Sequence, residues 1–324
     1  MGRRRALAAG SMTVGALGSA PSRGQSGRPP RVGYLSFVSP PDRDIEAFRV
    51  GMRGFGHEEG RTYVLEIRYA ERRSDRFEAL LDELLAAGIS ILVVRGPSHR
   101  VAPLASRKVP VVFAMSGDPV DAGIIGSLAR PGGNVTGISF LAFDLVPKRL
   151  SLLKEAAPSI RRVGVISNPS HAGERNERRL TVEAAQTLGL EIVYQRIDNA
   201  ADVDAALAAV EREGCDALTA FPEALTSDVA RELADFAVTR RMASIFGWRN
   251  FCVAGGMMSY GPSLADTNLR IGYFVDRIVK GASPADLPAE LPRTIEFVIN
   301  QRTAKRLGLE IPHVLVMRAD ELIE

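Results

Sequence analysis

RVGYLS at residues 31–36 and RVGVIS at residues 162–167 decide how this chain folds. Arg31-Val32-Gly33-Tyr34-Leu35-Ser36 and Arg162-Val163-Gly164-Val165-Ile166-Ser167 are short apolar runs, and each heads a series in which such runs alternate with amphipathic helical stretches. Strands alternating with helices are the pattern of a parallel α/β sheet, whose inner strands are buried on both faces and read as continuous apolar runs. Recurrence of the hexapeptide suggests that the unit is built twice.

Working outward from residue 31, the first strand continues to Phe37, and Ile45, Phe48, Met52 and Phe55 then recur at helical spacing. Tyr63 to Tyr69 reads as a strand, and Phe77, Leu80, Leu81, Leu84 and Leu85 make a second apolar helix face that Gly88 stops. Ile89 to Val94, Val109 to Ala114 and Val135 to Phe140 supply further strands, the last entered through the turn Pro131-Gly132-Gly133-Asn134. The second series has helices at Glu177–Leu188, around Val203–Val210 and at Asp228–Thr239. Its strands are Glu191–Ile197, Asp216–Phe221, Ala243–Phe246 and Met257–Tyr260. Leu264, Ile271, Phe274 or Val275, and Ile278 mark a long helix ending at Gly281. Pro284, Pro288 and Pro292 mark a traverse, and a strand at Ile295–Ile299 and a helix at Gln301–Leu307 follow. A tandem of two domains needs fewer elements, so several crossings are expected. The fold class is α/β, with two Rossmann-like lobes of parallel sheet flanked by helices. Residues 31–144 plus about 262–281 form the first lobe, and 145–261 plus about 282–324 the second.

A length of 324 residues supports two cores, and 46% hydrophobic with 24% charged residues is ordinary for a globular protein. The net charge is +3, and five arginines (Arg3, Arg4, Arg5, Arg23 and Arg28) lie before residue 30, so the body is close to neutral. No basic stripe interleaved with aromatics appears, which argues against nucleic acid as a partner. Residues 1–5 are basic and 6–22 carry no charge, as in a cleaved export signal with Arg4 and Arg5 as a twin-arginine pair. Candidate cuts follow Gly18 or Gly24, and the other reading of residues 1–30 is a disordered cytoplasmic tail. The segment is too weakly apolar to span a bilayer. Cys215 and Cys252 fit no metal or haem spacing, and the sequence leaves open whether they pair.

Motifs for chemistry are few. Ser151-Leu152-Leu153-Lys154 matches SxxK, but no SDN or KTG follows, and Val146, Leu150, Leu153 and Ala157 make the segment an amphipathic helix. His57, His99, His171 and His313 lack metal-ligand spacing and read as solvated loop histidines; no GxGxxG or P-loop occurs. No catalytic residue, metal site or cofactor is expected. What remains are polar residues just past strand C-terminal ends, the edge where open parallel sheets bind ligands: Ser36, Ser98, Ser116, Asp118, Asn168 and Glu223. Hydroxyls and carboxylates there suit a zwitterion, although Ser, Asp and Asn also cap turns. Among aromatics near the same edges, Phe37, Trp248 and Tyr260 are candidate ligand contacts, and Tyr34, Phe140, Phe221 and Phe246 are candidates for pocket wall or core.

Phe113-Ala114-Met115-Ser116-Gly117-Asp118-Pro119-Val120, Arg130-Pro131-Gly132-Gly133-Asn134-Val135-Thr136-Gly137, Ala254-Gly255-Gly256-Met257-Met258-Ser259-Tyr260-Gly261, Tyr273–Gly281 and Arg318–Glu324 together resemble one family. It is the TrpX-like group of ABC transporter substrate-binding proteins, and the resemblance covers nearly all of residues 31–324. It implies a type I periplasmic-binding-protein fold, export to the periplasm, capture of a small molecule between the lobes, delivery to an ABC permease, and action as a monomer. Some members are associated with aromatic amino acids. Val94-Arg95-Gly96-Pro97-Ser98-His99-Arg100 replaces the family's usual small Thr- and Ala-rich loop, so Arg95 or Arg100 could select an acid instead. A ligand-sensing module of a membrane receptor and an enzyme of the same fold class are the rival readings.

Overall fold

In the computed structural model, which describes residues 28–324 apart from 41, 72, 97–100, 102, 105–107, 141–142 and 172, the first hexapeptide is strand β1 (Arg31–Ser36). It lies between β2 (Val64–Tyr69) and β3 (Ile91–Arg95), and β4 (Val111–Met115) and β5 (Val135–Ser139) extend the sheet beyond β3, all parallel. The central positions of β1, β3, β4 and β5 are buried, as their unbroken apolar character requires. Helix α1 (Arg43–Gly54) covers one face, its N-terminus capped by the Asp42 carboxylate accepting from the Asp44 amide. Helix α2 (Phe77–Ala86) packs Phe77, Leu80, Leu81 and Leu84 onto the other.

The second hexapeptide is β6 (Arg162–Ser167), between β7 (Glu191–Arg196) and β8 (Ala217–Ala220). The sheet continues through β9 (Ala243–Phe246), β10 (Met258–Pro262), β11 (Ile295–Asn300) and β12 (Glu321–Ile323), with β10 and β11 antiparallel and the other pairs parallel. Helices α3 (Val146–Ala156) and α4 (Glu174–Leu188) pack together on one face; α5 (Val203–Arg212), α6 (Ala224–Asp228), α7 (Ala230–Thr239) and α8 (Arg249–Val253) complete this series. The helix expected over Asp228–Thr239 is α7, and the short α6 precedes it, separated by Val229. Helices α6 and α8 and strand β12 escape sequence reading because so few residues show no periodicity.

Helix α9 (Leu264–Val279) returns to the first sheet and makes more extensive contact with α1 than any other pair of elements makes. Glycine permits that approach: a Cβ at Gly51 would lie 2.2 Å from the Leu269 carbonyl oxygen, and one at Gly272 would lie 2.7 Å from the Gly51 carbonyl carbon. The buried Asp276 carboxylate, 2.9 Å from His57 Nε2 and 2.7 Å from Lys280 Nζ, ties the C-terminal end of α9 to the segment after α1. The following stretch stays with β5 as far as Glu290, beyond the boundary expected near residue 281. Thr136 Oγ1 donates to the Leu287 carbonyl at 2.8 Å, Ser139 N–H to the Glu290 carbonyl at 3.0 Å, and Glu290 N–H to the Gly137 carbonyl at 2.9 Å. The chain passes from β5 to α3 on the second sheet, crosses again at Ser263 and at 291–294, and α10 (Gln301–Leu307) and α11 (His313–Val316) then close the second lobe. No helix among the described residues is long and apolar enough to cross a membrane.

Candidate functional site

Strand order β2-β1-β3-β4-β5 reverses direction between β1 and β3, and the second sheet does the same between β6 and β8. Strands part at such a switch point beyond their C-terminal ends and leave a crevice. At the first stand Ser36, Phe37, Arg95 and Gly96; at the second, Asn168, His171 and Glu223. The lobes meet across these edges. Ser116 Oγ, past β4, comes within 3.5 Å of His171 Nδ1, and the ring of Phe140 meets that of Trp248 edge-on with centroids 5.9 Å apart.

A cavity of about 90 Å³ remains between the lobes, bordered by Ser36, Phe37, Asp44, Arg95, Ser116, Phe140 and Trp248 among others. An apolar cavity of about 150 Å³ takes benzene, so an aromatic solute would need these walls to part. A larger groove, about 270 Å³, lies on the outer side of α9, where Arg270 and Arg293 are paired with Glu290. It lies away from both switch points, and the interlobe cavity is the candidate site.

Ser36, Phe37, Ser116 and Trp248 therefore border the cavity, while Asn168 and Glu223 stand at the second switch point. The Glu223 carboxylate also caps α6, accepting from the Thr226 amide at 2.9 Å, and Asn168 Oδ1 accepts from the Ser170 amide at 2.9 Å. Asp118 caps its own turn, accepting from the amides of Val120 and Asp121 at 2.8 and 3.3 Å. Tyr260 packs against Phe297 in the cluster beneath α3 and α4. Neither Asp118 nor Tyr260 borders the cavity, and Ser98 and Arg100 lie outside the described residues. Tyr34 is wholly buried against Phe48. Cys215 and Cys252 are free thiols, raised by burial to about 11 and about 12.

The expectation that the histidines are solvated needs correction at His57 and His171, whose side chains keep 12% and 5% exposure. Gly173 leaves room for the His171 ring, since a Cβ there would fall 2.7 Å from Nε2. That nitrogen lies 3.5 Å from Glu177 Oε2, and Arg149 Nη2 lies 3.8 Å from Glu177 Oε1, with all three side chains at most 5% exposed. Sequence carried a signal for two of them. Arg149 shares the apolar face of Val146, Leu150 and Leu153, and Glu177 shares the buried stripe of Thr181, Ala184 and Ala185. A charge on a buried stripe needs a partner.

Burial works against the His171 charge, but Glu177, then Glu223 and Glu174, outweigh it and raise its pKa above the ordinary 6.5. Burial also raises Glu223 above the ordinary 4.5, against the opposing influence of His171, the amides of Leu225 and Thr226, and Asn168. Both groups hold protons more tightly folded than unfolded, so stability is lost as pH rises. Each contribution is complete below the ordinary value and fades as pH passes the raised folded value. Urea midpoints should fall as pH rises from below the ordinary histidine value of 6.5 through the raised folded value, and His171→Asn should flatten that decline. A midpoint that rises over this interval would show the linkage to be reversed.

The model of the family described as ABC transporter substrate binding protein matches residues 31–323. A tyrosine-binding protein of Clostridioides difficile (strain R20291) is 22% identical over 283 residues, spanning 86% of this chain and 81% of the relative. Among solved structures, an ABC domain from Streptococcus pneumonia in complex with L-Trp is 21% identical, with a TM-score of 0.81 over 91% of this chain and 100% of that one. A ligand-free, open substrate-binding protein with adhesive properties from Clostridium difficile is 20% identical, with a TM-score of 0.67 over 91% of this chain and 99% of that one.

Proposed function

The chain belongs to the ABC transporter substrate binding protein family, and we propose that it captures an amino acid outside the cytoplasm, closes its lobes over it and presents it to an ABC permease. The interlobe cavity carries this reading, because two switch points face each other there and the lining combines an apolar wall with a polar end. Phe37, Met115, Phe140, Trp248 and Leu264 offer the wall, and Ser36, Asp44, Arg95 and Ser116 the end. Such a lining suits a solute with a charged head and an apolar side chain. The tyrosine and tryptophan bound by the two relatives have that form.

The crossings support hinge closure. Three short connections join lobes that have separate sheets, so the lobes can separate without breaking either sheet. At nearly equal identity, the chain superposes better on the L-Trp complex than on the open, ligand-free structure, which supports a drawn-together state here.

Trp248 is the sole tryptophan of the protein and borders the cavity, so its fluorescence reports occupancy. Titration with L-tyrosine, and calorimetry with L-tyrosine and L-tryptophan, should give saturable binding with Kd of about 1 μM or below and ligand recovered unchanged. Trp248→Ala should weaken it about tenfold or more. Absence of binding to either amino acid, or conversion of the bound one, would reject the proposal.

A further inference from the structure

Three charged side chains crowd the β1/β3 edge. Arg95 Nη1 lies 3.4 Å from Asp42 Oδ1, and its Nη2 lies 2.5 Å from Asp44 Oδ2, so both terminal nitrogens face carboxylates. Asp42 is buried and engaged at both oxygens: Oδ2 accepts the Ser36 hydroxyl at 2.9 Å, and Oδ1 accepts the Asp44 amide at 3.0 Å. Asp44 is the least buried of the three and borders the cavity. Among the described residues at this edge, two carboxylates to one guanidinium leave one net negative charge. Among the described residues bordering the cavity, Arg95 is the only cation, and its charge is already matched. Burial opposes that charge, and Asp44, then Tyr34 and Asp42, outweigh burial, so Arg95 stays protonated as part of the triad.

We propose that Asp44 sets the head-group specificity of the cleft by holding the ammonium of the ligand, so that ligands charged only through a carboxylate are rejected. This rests on the reading of the cleft as an amino-acid site and names which charge of the amino acid is read. The replacement of the family's small loop by one containing Arg95 would then not redirect the site to acids. A ligand carboxylate brought to this edge meets Arg95 already engaged and the unbalanced charge of Asp42 and Asp44, in surroundings where like charges are poorly screened. An ammonium completes the charge balance and forms a charge-assisted hydrogen bond to Asp44. The carboxylate of an amino acid would then be held by uncharged donors, such as the Ser116 hydroxyl.

Two ligand series on the wild-type protein test this without any substitution. L-tyrosine is compared with tyramine, which lacks the carboxylate, and with 3-(4-hydroxyphenyl)propionate, which lacks the ammonium; L-tryptophan, tryptamine and indole-3-propionate repeat the comparison. Calorimetry should place each amine within about tenfold of its amino acid and each propionate about a hundredfold or more weaker, with no binding of L-glutamate. Asp44→Asn, folded by its melting curve, should weaken both amino acid and amine about tenfold to a hundredfold. A propionate that binds as tightly as its amine overturns the assignment, as does an unchanged affinity in Asp44→Asn. If no member of either series binds, the amino-acid reading itself fails, whereas binding with the opposite preference removes only the role of Asp44.

Discussion

Gly51→Ala should lower the melting temperature by roughly 5 °C, for a loss of about 3 kcal/mol, although it adds a single methyl group and improves helix propensity. The cause is the α1–α9 contact. The new Cβ would stand 2.2 Å from the Leu269 carbonyl oxygen, and backbone cannot turn aside as a side chain can. Gly272→Ala meets the backbone of Gly51 and Met52 from the other helix and should cost a similar amount. The double variant should lose less than the sum, because both substitutions force the same pair of helices apart. Gly54→Ala is the control. It lies on the same helix with nothing within 4 Å of its Cβ, and should stabilise by about 0.5 kcal/mol. Wild-type melting in Gly51→Ala would mean that α1 and α9 do not pack this closely.

Glu177→Gln should have an effect of the same order for an electrostatic reason. The substitution preserves shape and removes the carboxylate that faces both Arg149 and His171, each nearly without solvent. Removing one partner of a buried ion pair typically costs about 3–5 kcal/mol, because the remaining charge is stranded. Burial already depresses the Arg149 pKa against the pull of Glu177. The penalty should shrink once pH has risen far enough to neutralise His171, whose pKa is raised, and leave only Arg149 unpaired. Urea denaturation below and above that raised value would measure both terms, and an unchanged midpoint at either pH would exclude a buried ionic cluster.

The architecture was legible where burial acts on consecutive residues. The runs at 31–36, 91–95, 111–115 and 162–167 are apolar because both sheet faces are covered, and their order with intervening helices allowed two lobes and several crossings to be read. The long helix at 264–279 was legible from its period, but its partner was not: nothing local in Gly51 or Gly272 states that one faces the other more than two hundred positions away. The candidate site was readable only as a set of strand ends. Ser36, Phe37, Ser116 and Trp248 follow from that rule, because the sheet edge places them. His171 and Glu177 converge through a turn and the missing Cβ of Gly173, which no spacing motif encodes. Arg95 was visible as an unusual residue, whereas its pairing depends on Asp42 and Asp44 arriving at the start of α1, after another strand.

The return of α9 to the first sheet also bears on how the chain acquires its structure. The N-terminal segment through β5 contains all five strands of its sheet but not the helix that covers α1, and Leu287 and Glu290 are still needed beside β5. During synthesis that segment emerges with its α1-facing surface uncovered, while the second sheet is made from the intervening residues. The last wall of the first lobe arrives only after β6 to β10 exist. Contacts of such long sequence separation close slowly, so the first lobe is not an autonomous folding unit, and truncation before residue 264 should leave an aggregation-prone intermediate and no half-size binding module.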